Sequence, residues 1–407
     1  MSFLRKAKNY AHLFLAGIAS TIYFFPGRKL TIIGVTGTDG KTTTANLIYH
    51  ILKNSGKKAA VISTIGAVID GVNYDTGFHV TTPSPFAIQK YLNIARKKGC
   101  THAVLEVTSH ALDQNRVWGI EFTVGVLTNI THEHLDYHKN YQKYVDTKLR
   151  LFKHSKISVI NSNGEWFPQV IQKVPSDKLI SYSLHGNNTN DLTLLNTPFS
   201  IKTKLIGDFN LENILAATAV AKALGIDPSS IDRAIRTYEV PVGRQEIVHN
   251  KDFMVMVDFA HTANSFDQIL PELRKRTTGR LIHVFGAAGE RDHAKRPDMG
   301  KAASFYDDII ILTSEDPRSE KIEKINSDIK EGIQGFTKRT RDEDENTKAL
   351  YEIPDRKEAI EKALSMASKH DTIVITGKGH ERSINYGHGE EEWSDQATVK
   401  NYFRNNT

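Results

Sequence analysis

A glycine-rich turn at residues 34–44 constrains the fold of this chain more than any other feature. It reads Gly-Val-Thr-Gly-Thr-Asp-Gly-Lys-Thr-Thr-Thr, follows the apolar run Leu30–Val35 and opens a stretch with apolar residues at helical spacing. In such a turn the backbone N–H groups and the helix terminus face a polyphosphate, Lys41 bridges the terminal phosphates, and the Thr42 hydroxyl can ligate Mg²⁺. The turn therefore predicts a nucleoside-triphosphate site after the first strand of an α/β sheet.

The turn departs from the standard phosphate-loop pattern at one position. Val35 stands where that pattern has its first glycine, and the glycines lie instead at Gly34, Gly37 and Gly40. An ordinary strand-to-helix turn with a chance Gly-Lys-Thr is the alternative. The order of strand, turn and helix favours the phosphate site.

Length and composition indicate two soluble domains. A chain of 407 residues is long enough for two cores, and 39% hydrophobic with 25% charged residues is typical of a globular protein. The single cysteine, Cys100, excludes an internal disulfide and fits a reducing compartment. Because export would also separate an ATP site from its ATP, we expect a cytoplasmic protein.

The net charge of +6 does not by itself indicate nucleic-acid binding. The basic residues are scattered in short groups, such as those at 96–98 and 274–276, rather than gathered into one stripe. Anionic small molecules explain the balance as well as nucleic acid would. We expect small-molecule substrates, no nucleic-acid partner and a monomer.

Residues 1–28 form a separate apolar segment. Basic residues precede a mostly apolar run from Ala11 to Phe25, which carries His12 and is shorter than the ~20 residues needed to span a bilayer. We expect either a helix packed on the body of the protein or an interfacial helix that meets a membrane.

From Leu30 onwards, short apolar strands alternate with amphipathic helices, which predicts a mainly parallel sheet covered on both faces. The expected strands of a first domain are Leu30–Val35, Ala59–Ser63, Ala103–Val107, Val124–Thr128 and Ile157–Ile160. The pattern breaks near Val240 and begins again with expected strands at Met254–Asp258, Leu281–Phe285, Ile309–Thr313 and Thr372–Thr376. We therefore divide the chain into an apolar segment at 1–28, an ATP-binding domain at 29–240 and a C-terminal α/β domain at 241–407.

Polar residues follow the strands of the first domain at the edge where open sheets bind ligands. Glu106 ends an apolar strand, where a buried carboxylate must be paired or bind a metal, and a magnesium role is favoured over a capped strand end. His132, His134 and His138 with Asp136 invite a zinc interpretation, but no cysteine accompanies them. A magnesium or substrate role for His134 alone is the better interpretation.

Ten motifs in order resemble the Mur ligases, and most closely the MurE group, over residues 29 to about 397. They include Val35–Thr43, Thr81–Pro83, Glu106–His110, Asn129–Asp136, Gly207–Asn213, Gly243–Glu246, Asp258–Thr262, Gly289–Pro297, Glu315–Arg318 and Gly377–Glu381. The resemblance implies a phosphate-loop ATPase domain followed by a Rossmann-like α/β domain. It also implies a ligase of peptidoglycan synthesis that adds a diamino acid, diaminopimelate or lysine, to UDP-N-acetylmuramoyl-L-alanyl-D-glutamate.

The chemistry implied by the resemblance needs ATP and Mg²⁺. ATP phosphorylates the D-glutamyl carboxylate, and the incoming amine attacks the acyl phosphate, so that neutralising charge is the main task. Lys41 and Mg²⁺ would hold the transferring phosphoryl group, with Thr42, Glu106 and His134 around the metal. Lys148, by default a solvated surface lysine, falls where the family has a carbamylated lysine whose added carboxylate binds metal.

The resemblance assigns the remaining site residues by motif. The nucleotide would contact Gly37, Thr38, Asp39, Gly40, Lys41, Thr42, Thr43, Asn213, Asp258 and Arg296. The muramoyl peptide would contact Thr81, Thr82, Thr108, Gln114 and Arg116. The amino acid would contact Arg291, Glu315, Asp316, Pro317, Arg318, Gly377 and Glu381, because guanidinium groups suit its carboxylate and Glu381 suits an ammonium.

Two departures from the family bear on the substrates. The family motif for diaminopimelate is Asp-Asn-Pro-Arg, and here Asp316 replaces the amide, so that Arg318 argues for diaminopimelate while Asp316 leaves lysine open. The usual uridine-nucleotide-binding domain has no counterpart before residue 29. We therefore expect either fewer contacts to a UDP-linked substrate or a lipid-linked acceptor brought near a membrane by residues 1–28.

Three alternatives stay open from the sequence. Folylpolyglutamate synthetase shares the architecture but fits the later motifs less well. A ligase of the same family acting on another cell-envelope polymer fits better. A kinase or nucleotide switch would explain Lys41 and Thr42 but would leave the second domain without a task.

Overall fold

The computed structural model describes residues 3–74, 76, 81–131, 135–186, 191–339 and 348–406, without the side chains of residues 3–8, 135 and 136. The chain divides into two compact units, Met1–Glu239 and Val240–Thr407. Each unit is built on its own sheet, and each is described separately below.

The N-terminal unit contains an eight-stranded sheet among the residues described. Its strands are β1 Thr31–Thr36, β2 Ala59–Ser63, β3 Gly66–Ile69, β4 Val72–Tyr74, β5 His102–Glu106, β6 Phe122–Leu127, β7 Ser155–Asn161 and β8 Leu179–Tyr182. Their order is β4-β3-β2-β5-β1-β6-β7-β8, and all pairs are parallel except β2–β3 and β3–β4. The carboxyl ends of β5, β1 and β6 therefore lie side by side.

The helices of this unit cover both faces of the sheet, which explains why β1 and β2 are almost continuously apolar. They are α1 Phe3–Ile22, α2 Lys41–Asn54, α3 Pro85–Lys97, α4 Ser109–Asp113, α5 Leu135–His138, α6 Tyr141–Lys153, α7 Phe167–Ile171, α8 Asp208–Ala223 and α9 Pro228–Thr237. Helix α2 begins directly at Lys41, so the glycine-rich turn ends at a helix N-terminus as the sequence predicts.

Helix α1 packs on the body of the N-terminal unit through one face. Ala16, Ala19 and Ser20 are buried, and the helix lies against α3. The Ser20 hydroxyl accepts a hydrogen bond from Gln89 at 3.1 Å and donates one to the carbonyl of Trp118 at 3.3 Å. Of the helices described, none has both the length and the apolar character required to pass through a bilayer.

The C-terminal unit has a seven-stranded sheet and a small hairpin among its described residues. The strands are β9 Glu246–Asn250, β10 Met254–Val257, β11 Leu281–Phe285, β12 Ile309–Leu312, β13 Thr337–Lys338, β14 Ala349–Glu352, β15 Thr372–Ile375, β16 Ser383–Asn385 and β17 Glu390–Glu392. The sheet order is β13-β14-β12-β11-β15-β10-β9, with only β9 antiparallel, and β16 pairs with β17. The helices are α10 Ala263–Arg276, α11 Lys295–Tyr306, α12 Ile322–Lys330, α13 Arg356–Met366 and α14 Asp395–Asn405.

The fold class expected from the sequence is confirmed: both units are α/β structures around mainly parallel sheets. Each of the nine expected strands is present, and Ala59–Ser63 and Leu281–Phe285 have the expected bounds. Most strands that sequence patterns did not indicate lie at sheet edges or in hairpins, where short, polar segments such as Glu390–Glu392 carry no apolar signal. Strand β14 is the exception, since it lies between β13 and β12 and is mostly buried.

Candidate active site

The glycine-rich turn has the backbone geometry of a phosphate-binding loop. Gly40 caps α2 in a left-handed conformation (φ 77°), and a side chain there would clash with the amide of Asn213 on α8. Asn213 also accepts a hydrogen bond from the Thr44 hydroxyl at 3.1 Å. Asn213 therefore lies against the turn at the start of α2, which is consistent with a role at the nucleotide.

Residues after β6 hold the turn in place. The side-chain oxygen of Asn129 accepts the N–H groups of Thr38 and Asp39 at 3.1 and 2.8 Å, and the Thr128 hydroxyl donates to the Asp39 carbonyl at 2.6 Å. The Tyr144 hydroxyl bonds that of Thr38 at 3.0 Å. The sequence patterns predicted no individual roles for Thr128, Asn129 and Tyr144. Asn129 could have been found, because it opens a polar motif directly after an apolar strand.

Two lysines reach the same turn. Lys41 donates to the Thr38 carbonyl at 2.6 Å, and Lys148 of α6 donates to the Gly37 carbonyl at 2.5 Å. Lys148 is 1% exposed and lies over the Tyr144 ring at 4.5 Å. The default expectation of a solvated surface lysine is therefore wrong. Helical periodicity could have shown this, because Lys148 falls on the same face of α6 as the buried Tyr144 and Val145.

Glu106, at the end of β5, lies beside the start of α2. Its carboxylate is 1% exposed and accepts the Thr42 hydroxyl at 3.0 and 3.1 Å and the Thr64 N–H at 2.9 Å. In the part of the chain that the structure describes, the hydrogen-bond donors to this carboxylate are thus neutral. A hydroxyl and a carboxylate in contact form an oxygen donor set suited to Mg²⁺.

Four of the five residues expected to bind the muramoyl peptide form one group. The Thr82 hydroxyl lies 3.0 Å from the Glu106 carbonyl and 3.2 Å from the Thr108 hydroxyl. Arg116 donates to the Thr82 carbonyl and to the Gln114 side chain, both at 2.8 Å. Burial lowers the pKa of Arg116. This group contacts the end of β5, because the Thr82 hydroxyl donates to the main-chain carbonyl of Glu106. Thr81, the neighbour of Thr82 in the chain, is half-buried.

The histidine motif is only partly described. His132 and His134 lie outside the described residues, as does the side chain of Asp136, so the zinc and magnesium interpretations stay predictions. His138 is buried and its Nε2 bonds the Ser109 hydroxyl at 3.0 Å.

In the C-terminal unit, the expected amino-acid motifs follow adjacent strands. Arg291 comes after β11, Arg318 after β12 and Gly377 after β15. The three carboxyl ends share one sheet edge, because β12, β11 and β15 are neighbours. Arg318 has a left-handed backbone (φ 54°) and donates to the Gly289 carbonyl at 3.2 Å, which ties the Arg318 and Arg291 loops together. Arg291 is exposed.

The departure at Asp316 is balanced by a lysine. Lys378 is fully buried and donates to Asp316 at 2.8 Å and Glu381 at 2.6 Å, and Asp316 also accepts the Asn385 N–H at 3.0 Å. Burial alone would lower the pKa of Lys378, but Glu381 and Asp316 hold that pKa above its ordinary value. The charge introduced by Asp316 is therefore paired within the motif with a buried cation that Glu381 shares.

Glu315 lies next to this cluster and beside Gly377, where a side chain would meet the Glu315 Cγ at 3.1 Å. Burial raises the pKa of Glu315, against the opposing effect of Lys295 and Lys378. Its Oε2 is buried with no hydrogen-bond partner among the residues described. Pro317 is buried in the same loop.

Two distant motifs of this unit meet backbone to backbone. A side chain at Gly243 would clash with the main chain of Gly379 and His380, and one at Gly379 would meet Phe259 at 2.8 Å. Asp258 fixes the same region, since its carboxylate accepts the N–H groups of Gln245 and Ala260, each at 2.7 Å. Burial raises the pKa of Asp258. Its expected contact with adenosine stays a prediction.

Arg296 does not face solvent. Its fully buried guanidinium donates to Glu320 at 2.7 and 2.8 Å and to Asp328 at 2.8 Å. Because these carboxylates already accept hydrogen bonds from the guanidinium, the structure gives no support to the expected phosphate contact of Arg296, which stays a prediction. His293, Glu320 and Asp328 lie close enough to hold a metal, but the Arg296 cation takes that place.

Comparisons with known proteins agree with this arrangement. Residues 35–221 match the Mur ligase middle domain, and residues 243–379 match the Mur ligase glutamate ligase domain. The UDP-N-acetylmuramoyl-L-alanyl-D-glutamate–2,6-diaminopimelate ligase of Aquifex aeolicus is 39% identical over 92% of this chain and 78% of its own length. The UDP-N-acetylmuramyl-tripeptide synthetase of Borreliella afzelii is 36% identical over 95% of this chain and 80% of its own.

A solved structure of a UDP-N-acetylmuramoyl-L-alanyl-D-glutamate–2,6-diaminopimelate ligase is 31% identical and covers 93% of this chain and 79% of its own, with a TM-score of 0.62. Two family models match in chain order, and the relatives align across most of both chains. The chain belongs to the Mur ligases, the ATP-dependent amino-acid ligases, and within them resembles the MurE ligases of peptidoglycan synthesis.

Proposed function

We propose that this ligase joins a diamino acid, in the first instance meso-diaminopimelate, to the D-glutamyl carboxylate of UDP-N-acetylmuramoyl-L-alanyl-D-glutamate through an acyl phosphate. The observation that carries the proposal is the Asp316–Lys378–Glu381 cluster beside Arg318. Arg318 supplies the guanidinium for a carboxylate, and Lys378, which Asp316 shares with Glu381, weakens the repulsion that Asp316 would otherwise exert on it.

In the N-terminal unit, Lys41 and the loop N–H groups bind the triphosphate. Thr42, Glu106 and, by the family resemblance, His134 and carbamylated Lys148 would hold Mg²⁺, which would supply positive charge next to the phosphates. Thr82, Thr108, Gln114 and Arg116 orient the muramoyl peptide. These assignments rest on the contacts described above and on the motif resemblance together.

Phosphate release with UDP-muramoyl-dipeptide and a panel of amino acids tests the reaction. We expect ADP and phosphate only when both the dipeptide and a diamino acid are present, with a tripeptide product by mass spectrometry. Phosphate released without an amine would indicate a nucleotide switch, and a stable phosphoester would indicate a kinase. A preference for lysine over diaminopimelate would overturn the first choice of substrate.

Arg318→Asn tests the carboxylate contact, because asparagine tolerates the left-handed backbone at this position while removing the guanidinium. We expect the KM for diaminopimelate to rise by about tenfold to a hundredfold, as for loss of a charge-assisted hydrogen bond, with a smaller effect on lysine. Arg382→Ala is the matched control, since Arg382 is an exposed arginine of the neighbouring loop.

A second candidate is an acceptor that is lipid-linked rather than soluble. The apolar helix α1, described with its outward face below, is the observation that favours it. The same assay with a lipid-linked muramoyl dipeptide in detergent separates the two acceptors.

A further inference from the structure

Helix α1 has a second face that no described part of the chain covers. The buried residues Ala16, Ala19 and Ser20 line the side that packs on α3. The opposite side is also apolar, which is unusual for a helix on the surface of a globular protein. We define this outer face by its exposed members, Tyr10, Phe14, Leu15 and Ile22, together with the neighbouring Phe24 and Trp118.

The members of the outer face form one surface. Tyr10 and Phe14 are one turn apart, and Leu15 and Ile22 are two turns apart, so each pair lies on one side of the helix. The Trp118 ring lies against Gly17 of α1: a Cβ atom placed on Gly17 would be 3.7 Å from the ring. Trp118 therefore extends the outer face from α1 onto the loop that follows α4. Tyr10 and Phe14 are 71% and 69% exposed, and Phe24 is 89% exposed. A contiguous aromatic surface of this kind indicates an interaction site.

The chain segment that contains α1 carries positively charged side chains and no negatively charged ones. Residues 1–38 contain five lysines and arginines, namely Arg5, Lys6, Lys8, Arg28 and Lys29, and no acidic residue before Asp39. Arg28 and Lys29 are exposed, and Arg28 stacks on Phe25 at 4.4 Å. Helix α3, against which α1 packs, also carries basic residues and no acidic one.

The acidic groups nearest to this surface are few in the part of the chain described. Asp113 is buried, accepts a hydrogen bond from Asn9 and pairs with Arg150. Glu121 is exposed in the loop after Trp118. A cavity of about 290 Å³ beside Trp118 is bordered by Arg150, Lys153 and His154, which extends the basic character of this side.

We propose that the outer face of α1 docks on the surface of an anionic lipid bilayer. Aromatic and aliphatic side chains on one side of a basic helix insert at the boundary between headgroups and acyl chains, and lysines and arginines bind the anionic headgroups. A second copy of this chain fits less well. In a two-fold dimer each patch meets its own copy, which would bring two basic segments together.

The docking is independent of the amino acid that the ligase adds. It would hold the N-terminal unit at the bilayer without crossing it, through contacts on a helix that makes none of the hydrogen bonds of the phosphate loop described above. Activity toward a soluble substrate should therefore not require it.

Vesicle flotation of the full chain tests the proposal, with vesicles of equal parts phosphatidylglycerol and phosphatidylcholine against pure phosphatidylcholine. We expect binding to the anionic vesicles to exceed that to the neutral ones by about tenfold or more and to weaken as salt is raised. The triple variant Tyr10→Ser, Phe14→Ser, Phe24→Ser should lose about tenfold or more of that binding.

The matched control is Leu195→Ser with Phe305→Ser, which removes two similarly exposed apolar side chains elsewhere. The control should bind as the unaltered chain does, and the triple variant should retain its melting temperature and its phosphate release with soluble substrate. Absence of binding to anionic vesicles, or equal binding by the triple variant, overturns the proposal. A dimer in light scattering that the triple variant abolishes, without vesicle binding, overturns it in favour of self-association.

Discussion

The two units each bury a carboxylate at a strand end, and they stabilise it in different ways. Glu106 of the N-terminal unit accepts a hydroxyl and a backbone N–H, whereas Asp316 of the C-terminal unit accepts a backbone N–H and a lysine. Neutral donors satisfy the oxygens of Glu106 without cancelling its charge, so the carboxylate can still attract a cation. At Asp316 the carboxylate is already paired with a buried lysine, which Glu381 shares. Burial alone therefore does not show whether a carboxylate is open to a further cation or already paired with one.

Of the substitutions that test this difference between the two units, Glu106→Gln in the N-terminal unit should have the largest effect. Glutamine retains an oxygen for the Thr42 hydroxyl and the Thr64 N–H but removes the charge. We expect ligase activity to fall by about 10³-fold, or about 4 kcal/mol, with a matching rise in the Mg²⁺ concentration that half-saturates the reaction. A magnesium titration of phosphate release measures this.

The control for this change is Glu121→Gln, an exposed glutamate of the same unit. If Glu106→Gln keeps nearly full activity with unaltered magnesium dependence, the charge of Glu106 does not serve the metal.

Lys378→Met should be the corresponding test on the C-terminal side. It leaves Asp316 and Glu381 without the cation that they share inside the protein. We expect the free energy of unfolding of this unit to fall by about 3–5 kcal/mol, measured by denaturant titration. Lys301→Met, at an exposed lysine, should change little.

Adding Asp316→Asn to Lys378→Met should recover part of the loss, since one buried charge is then removed together with its partner. A double variant that is less stable than Lys378→Met would show that Asp316 is stabilised mainly by Asn385.

Glu320→Gln tests a second ion pair of the C-terminal unit, that of Glu320 with Arg296. Arg296 holds the pKa of Glu320 at about 2, below its ordinary 4.5. Because folding lowers the pKa of Glu320, its ionised carboxylate stabilises the fold above pH 4.5, and that stabilisation is lost as the pH falls towards 2. We expect Glu320→Gln to cost about 2 kcal/mol at neutral pH and progressively less in acid.

Thermal melts across this pH range measure the effect. The exposed Glu331→Gln, at the C-terminal end of α12, is the control and should not reduce the stability at neutral pH. A stability difference that is independent of pH would contradict the pairing with Arg296.

Asp316→Asn alone should have the smallest effect. It restores the amide of the family motif, but Lys378 already pairs with the carboxylate of Asp316 in the unaltered chain. We expect the ratio of kcat/KM for diaminopimelate to that for lysine to rise by about threefold, or about 0.7 kcal/mol. A shift of about a hundredfold would mean that the charge of Asp316 reaches the substrate in spite of Lys378.

The sheets and the strand-end residues could be predicted because apolar strands and glycine-rich turns are local signals. Lys41 and Glu106 follow directly from that pattern. The partners of buried charges could not be predicted, because Arg296 meets Glu320 and Lys378 meets Asp316 only after the chain has folded.

The close approach of Gly243 and Gly379 limits how this ligase can be re-engineered. Any library that diversifies the Gly377–Glu381 turn, which we propose to meet the amino acid, must leave Gly243 and Gly379 fixed, since a methyl group on either has no room. The two positions are 136 residues apart yet tolerate no independent variation. Diversity is better directed to Arg291, whose side chain projects from the protein.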